Sequence, residues 1–279
     1  MDNSLSNTAD DISSVMANLQ YDAMIYIRWF KNNGMDVNPV KFQFMIGSNQ
    51  ALEQQKLRID ENTEILSENH VKHLGVTIDN KLNFSQHVSI CCSKAARQLN
   101  ALGRISKQLD QETRKVIFQS FVYSNLNYCP LVWHFCGKTN YNKIKKIHER
   151  ALKIVYNDYE SPYQDLLDKA GTTTVLISRL KTLLVEVFKC IKGLNPHFLN
   201  AMFECKTLPY SLRDSCKIMQ PKRKSTTYGI RSFTFIGAKL WNDLPSHFKD
   251  LCDMDVAEFK HLLNNWSGPC DTDYFKSYM

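Results

Sequence analysis

Residues 141–156 read Tyr141-Asn142-Lys143-Ile144-Lys145-Lys146-Ile147-His148-Glu149-Arg150-Ala151-Leu152-Lys153-Ile154-Val155-Tyr156, and two patterns are superimposed on them. Ile144, Ile147, Ala151, Ile154 and Val155 recur at the spacing of one helix face. A helix with such an apolar face must bury it against other elements. On the rest of the surface, Lys138, Lys143, Lys145, Lys146, Arg150 and Lys153 stand against Glu149, a net +5 within 16 residues. At about 100° per residue, Lys143, Lys146, Arg150 and Lys153 fall within one stripe of roughly 80°. Such a stripe can track a phosphate backbone and release its counterions. A solvated helix face produces the same pattern.

The neighbouring text is helical too. Residues 85–105 read as a helix. Asp110 is placed to cap a second, with Glu112 favouring the dipole in its first turn. That second helix carries Val116, Ile117, Phe118, Phe121, Val122, Tyr123 and Leu126, apolar almost all round, and is expected at the centre of the fold. Thr174 to Lys192 predicts another helix, stopped by Gly193 and Asn195-Pro196. From about Lys206 the text loosens through the basic cluster Lys222-Arg223-Lys224 and an aromatic segment over 228–245. A last short helix is expected over 255–266.

Before residue 85 the character is mixed. Asp11 to Lys31 carries Ile12, Val15, Met16, Leu19, Ala23, Ile27 and Phe30 at helical spacing, with Asp10 or Asp11 as cap and Asn32-Asn33-Gly34 as stop. Lys41-Phe42-Gln43-Phe44 alternates polar and apolar residues and predicts a strand. Residues 54–69 form a charged, polar stretch. His70 to Phe84 is a β-branched run expected to form a hairpin bent at Asp79-Asn80. The fold class expected is mainly α with a small α+β N-terminal part.

Composition excludes several classes. The chain has 279 residues, 43% apolar and 23% charged, with 10 Gly and 8 Pro, so wholesale disorder does not apply. Nine scattered cysteines, an odd number, argue against a disulfide scaffold and for a reducing compartment, cytoplasm or nucleus. Residues 116–135 contain no Asp, Glu, Lys or Arg, but Gln119, Ser120, Asn125, Asn127, Pro130 and His134 make a membrane span untenable. The net charge of +7 is uneven. Five acids against two bases give residues 1–40 a net of −3, so the remaining 239 residues carry +10.

Two motifs invite over-reading. Cys129-x4-His134-x-Cys136 lacks the paired knuckles of a structural zinc site, and buried cysteines beside a core Trp explain it; no metal ligands are assigned. Thr8-Ala9-Asp10-Asp11 resembles the box in which polymerases hold two metal ions. That chemistry needs a tight hairpin between two strands, whereas only seven residues precede Thr8, too polar and too few for a strand, and a helix follows Asp11. Asp10-Asp11 reads as a helix cap.

Several further words stand in a fixed order along the chain. They are Trp29-Phe30-Lys31-Asn32-Asn33-Gly34-Met35, Asn38-Pro39-x-Lys41-Phe42 and Leu74-Gly75-Val76-x-Ile78-Asp79-x-x-Leu82-x-Phe84. Asn127-Tyr128-Cys129-Pro130-Leu131-Val132-Trp133, Glu149-Arg150-Ala151-Leu152 and Tyr156-Asn157-Asp158-Tyr159 continue the series. Gly193-Leu194-Asn195-Pro196, Tyr228-Gly229-x-Arg231-Ser232-Phe233 and Gly237-Ala238-x-Leu240-Trp241-Asn242-x-Leu244-Pro245 complete it. Taken in order, these words resemble the closing part of a reverse transcriptase of the non-LTR (LINE, jockey-like) retrotransposons, and the likeness runs from about Asp2 to Trp266.

The resemblance implies a remnant of the polymerase palm over 1–84, a helical thumb over 85–205 and a C-terminal extension over 206–279. Counting back from Trp29 makes Asp2 the second aspartate of the family's catalytic box, and Lys41 falls on the palm lysine thought to protonate pyrophosphate. In that setting Lys143, Lys146, Arg150 and Lys153 are expected to contact an RNA or DNA template–primer. The Mg²⁺ of the parent family would lose most of its ligands here. The expected outcome is a chain without polymerase activity or cofactor of its own, or, alternatively, a non-catalytic nucleic-acid-binding module.

Overall fold

In the computed structural model, Asp11 opens the first helix by accepting the Ser14 amide at 2.8 Å, as a cap should. The structure describes residues 4–48, 53–60, 63–134, 136–205, 217–222, 225, 229–249 and 254–269. Of the described residues 58% are helical, with a few short antiparallel strands, so the mainly α expectation holds. It divides into two compact units, residues 1–87 and 88–279.

In the first unit, α1 (Ile12–Asn32) buries Ala23 and Ile27, which join Phe44, Leu57 and Ile59 in a small core. Two hairpins accompany it. Strand β1 (Lys56–Arg58) pairs with β2 (Glu64–Leu66), with Leu57 opposite Ile65. Strand β3 (His70–His73) pairs with β4 (Val76–Asp79), with Val71 opposite Ile78. Three expectations need correction. The β1–β2 hairpin lies inside the stretch read as merely charged and polar, because three-residue strands leave little period to see. The β3–β4 turn is Leu74-Gly75, at φ 45° and 85°, the positive pair a tight hairpin turn requires. Asp79 instead accepts the amides of Lys81, Asn83 and Phe84 at 3.1, 3.1 and 2.6 Å, which organises the approach to the next helix. Finally, Lys41 ends a 3-10 turn (Pro39–Lys41) capped by the Asn38 side chain. The alternation that suggested a strand survives as alternating burial, but only Phe44 forms a bridge, to Ser67.

The second unit is helical. After α2 (Ser85–Ile105), Asp110 caps α3 (Gln111–Ile117) through the Thr113 amide at 3.2 Å. The helix then widens into a π-helical turn (Phe118–Tyr123) before α4 (Ser124–Leu126). It is not buried all round. Phe118, Val122 and Leu126 are buried, while Val116 and Phe121 are 63% and 58% exposed. Short α5 (Pro130–Trp133) and then α6 (Lys138–Tyr156) follow.

Helix α7 (Tyr163–Ala170), absent from the sequence reading, packs Leu166 and Leu167 against Leu152. Helix α8 (Val175–Ile191), capped by Thr174, is the central element. Beyond α9 (His197–Asn200), the aromatic segment contains α10 (Phe233–Asp243). Helix α11 (Val256–Asn264) begins with a reciprocal Asp255–Glu258 capping box. Phe188 of α8 stacks on Phe259 of α11 at 4.4 Å, and Trp241 of α10 closes the same core. No described helix is long and apolar enough to cross a membrane.

Candidate nucleic-acid interface

Helix α6 is held rigidly at both ends. The Asn140 amide donates to the Cys136 carbonyl at 2.8 Å. Asn157, at φ 51°, turns the chain so that its own N–H and that of Asp158 reach the Ile154 and Lys153 carbonyls. Its inner face buries Ile144, Ala151, Leu152, Ile154 and Val155, four of which the apolar spacing had singled out. His148 lies on that face as well, its Nδ1 2.8 Å from the Tyr163 hydroxyl, and burial holds its pKa down to about 4.

With the apolar face committed inward, the cations are sorted by what lies beside them. Lys143, Lys146 and Arg150 are exposed, and Lys153 is half-buried. Lys153 pairs with Glu149 at 3.0 Å, which cancels most of its charge as seen by a ligand. Arg150 donates from Nη2 to Asn100 Oδ1 at 2.6 Å, which turns its guanidinium toward α2. Lys145, outside the stripe, sits over the Tyr163 ring, 5.3 Å from its centroid. Some of this placement serves the helix itself, since cations in a last turn are favoured by the carbonyl end of the dipole.

The C-terminal half of the stripe borders an open groove of about 520 Å³. Helix α2 lines it with Asn100, Gly103 and Arg104, α6 with Arg150, Lys153 and Ile154, and the following loop with Tyr159. Sequence reasoning missed Arg104 and Tyr159. Neither belongs to a periodic pattern, and only the approach of α2 to α6 brings them beside Arg150. The loop is fixed by Asp158, whose carboxylate accepts from the Ser161 amide at 3.0 Å, the Ser161 hydroxyl at 2.7 Å and the Lys169 ammonium. Those contacts, with Lys169 foremost, hold its pKa far below the usual carboxylate range.

The remaining sequence-predicted residues lie elsewhere. Lys41 belongs to the first unit, where it is exposed at the end of its 3-10 turn. Asp2 lies outside the described residues. In the Cys-x4-His-x-Cys segment, Cys129 is exposed whereas Cys136 and His134 are buried. Among the described residues no three His, Cys, Asp or Glu side chains come together as a metal-ligating group. Comparison with protein-family models, curated proteins and solved structures gave no match.

Proposed function

We propose that this chain is the C-terminal part of a non-LTR retrotransposon reverse transcriptase, comprising the end of the palm, a helical thumb and an extension. In this reading it grips template–primer through the basic face of α6 and by itself does not extend a primer. The ordered series of words from Trp29 to Pro245 supports the family reading. One observation carries the binding reading: Lys143, Lys146 and Arg150 stay exposed on one stripe of a helix whose opposite face is buried. A row of cations on one helix face can meet successive phosphates and release their counterions.

The test is fluorescence anisotropy with an RNA–DNA hybrid across a salt series. Affinity is expected to fall steeply with salt. The triple variant Lys143→Ala, Lys146→Ala, Arg150→Ala is expected to reduce the log–log salt slope by about 3. Binding indifferent to salt and to these substitutions would refute the interface. Primer extension with Mg²⁺ or Mn²⁺ completes the test, and sustained nucleotide incorporation would refute the non-catalytic part.

A second reading, a stand-alone polynucleotide-binding module, draws on the groove beside the stripe, which offers contacts other than those to a duplex backbone. It predicts binding without preference for a primer–template junction over a plain strand.

A further inference from the structure

We propose that the groove between the last turns of α2 and α6 holds one unpaired nucleotide, its phosphate on Arg104 and Arg150 and its base stacked on Tyr159. This rests on the reading that the α6 face meets a polynucleotide, and it names the part of that ligand the groove takes.

The cations divide the work. Lys153 is neutralised by Glu149 at 3.0 Å, so the anion-attracting charge comes from Arg104 and Arg150. Arg150 uses one guanidinium N–H on Asn100 at 2.6 Å, which orients the fork and leaves further donors. Two guanidinium groups on one groove suit a phosphate's several acceptor oxygens. The carbonyl ends of both helices oppose an anion here. That opposition is weakened at α6, where the Ile154 carbonyl already accepts from Arg114 Nη1 at 3.3 Å and from the Asn157 amide, and the Lys153 carbonyl from the Asp158 amide.

Tyr159 supplies the second contact. It is 59% exposed although its loop is pinned by the Asp158 carboxylate on Ser161 and Lys169. An exposed ring on an immobilised loop is ready to stack a base with little ordering cost, whatever the base's identity. A single surface tyrosine would mean nothing. A tyrosine sharing a groove with two arginines matches the two chemical halves of a nucleotide. Gly103 and Ile154 add apolar lining, and the volume of about 520 Å³ lies within the range of small-molecule sites.

The test uses the full chain with labelled oligouridylate, a blunt RNA–DNA hybrid of equal length, uridine monophosphate and inorganic phosphate. Tyr159→Ala is expected to weaken oligouridylate binding about tenfold and to leave the hybrid unchanged. Tyr159→Phe should behave as wild type. Arg104→Ala should weaken oligouridylate and uridine monophosphate together. Both residues are exposed, and circular dichroism checks that the variants stay folded. Equal losses on strand and hybrid, or no loss on either, overturn the proposal, as does inorganic phosphate competing as well as the nucleotide. If that happens while hybrid binding remains salt-dependent, the broader interface stands and only the groove fails. Conversely, uridine monophosphate binding that needs Tyr159 and Arg104, in a chain that holds no polynucleotide, keeps the groove as a free-nucleotide site and removes the polynucleotide reading.

Discussion

Arg179 sits on α8 without solvent exposure, its guanidinium 4.0 Å from the centre of the Trp133 ring and its Nη2 donating to the Leu126 carbonyl at 2.7 Å. Its Nε and Nη1 have no hydrogen-bond partner among the described residues. Burial pulls its pKa down, opposed by Cys136 and the phenol of Tyr123. A buried charge so thinly paired costs free energy that stacking and one hydrogen bond offset only in part. Arg179→Met, which fills the space without the charge, is therefore expected to change stability by less than about 1 kcal/mol. Arg179→Ala opens a cavity under Trp133 and should cost about 2–4 kcal/mol. Urea midpoints measure both, and equal damage from the two would show that the charge itself is structural. Nothing in the sequence marked this residue. A lone Arg in Ser178-Arg179-Leu180 reads as a solvated position until the packing of α8 encloses it.

Helices α8 and α10 approach closely at Gly237. A Cβ added there would lie 2.9 Å from both Val187 Cγ2 and Phe203 Cζ. Alanine raises helix propensity by about 1 kcal/mol over glycine, but overpacking a tight core costs roughly 1–3 kcal/mol, and Val187 is restricted to one rotamer in a helix. Overpacking wins, so Gly237→Ala is expected to lower the thermal midpoint; a raised midpoint would mean that the two helices are free to separate. Long helices such as α2, α6 and α8 were legible because their length lets an apolar pattern repeat over many turns, and at α8 the capping Thr174 and the Gly193 stop mark the ends as well. The eight-residue α7 and the three-residue strands β1 and β2 were not, since too few turns or alternations occur to rise above composition. The hairpin turn was misread because Asp79-Asn80 has turn chemistry, which Asp79 spends on amides leading into α2, while Leu74 adopts a positive φ that its identity does not announce.

For the molecule as a whole, two buried imidazoles tie stability to pH. Burial holds His148 down to about 4, and burial with the nearby Arg179 charge holds His134 well below 6.5. The unfolded chain therefore takes up protons near pH 6.5 that the native chain refuses. Their contribution is complete above that pH and is lost as pH falls toward 4, His148 alone accounting for about 2 kcal/mol at pH 5. Chemical denaturation at pH 7 and pH 5 should give a lower midpoint at pH 5. His148→Gln, which can still meet the Tyr163 hydroxyl, should narrow that gap, and identical midpoints for wild type would show that the imidazole is not held neutral. The amino-acid sequence alone determined that this chain is mainly helical, where its long helices start and stop, and that one of them carries a basic stripe opposite an apolar face. Those are local properties, set by side-chain spacing and by the hydrogen-bonding needs of helix ends. Only the tertiary structure decided which cations remain available, because Glu149 and Tyr163 claim Lys153 and Lys145. It also decided that Arg104 and Tyr159, 55 residues apart in the chain, share one groove, since that neighbourhood exists only once α2 packs beside α6.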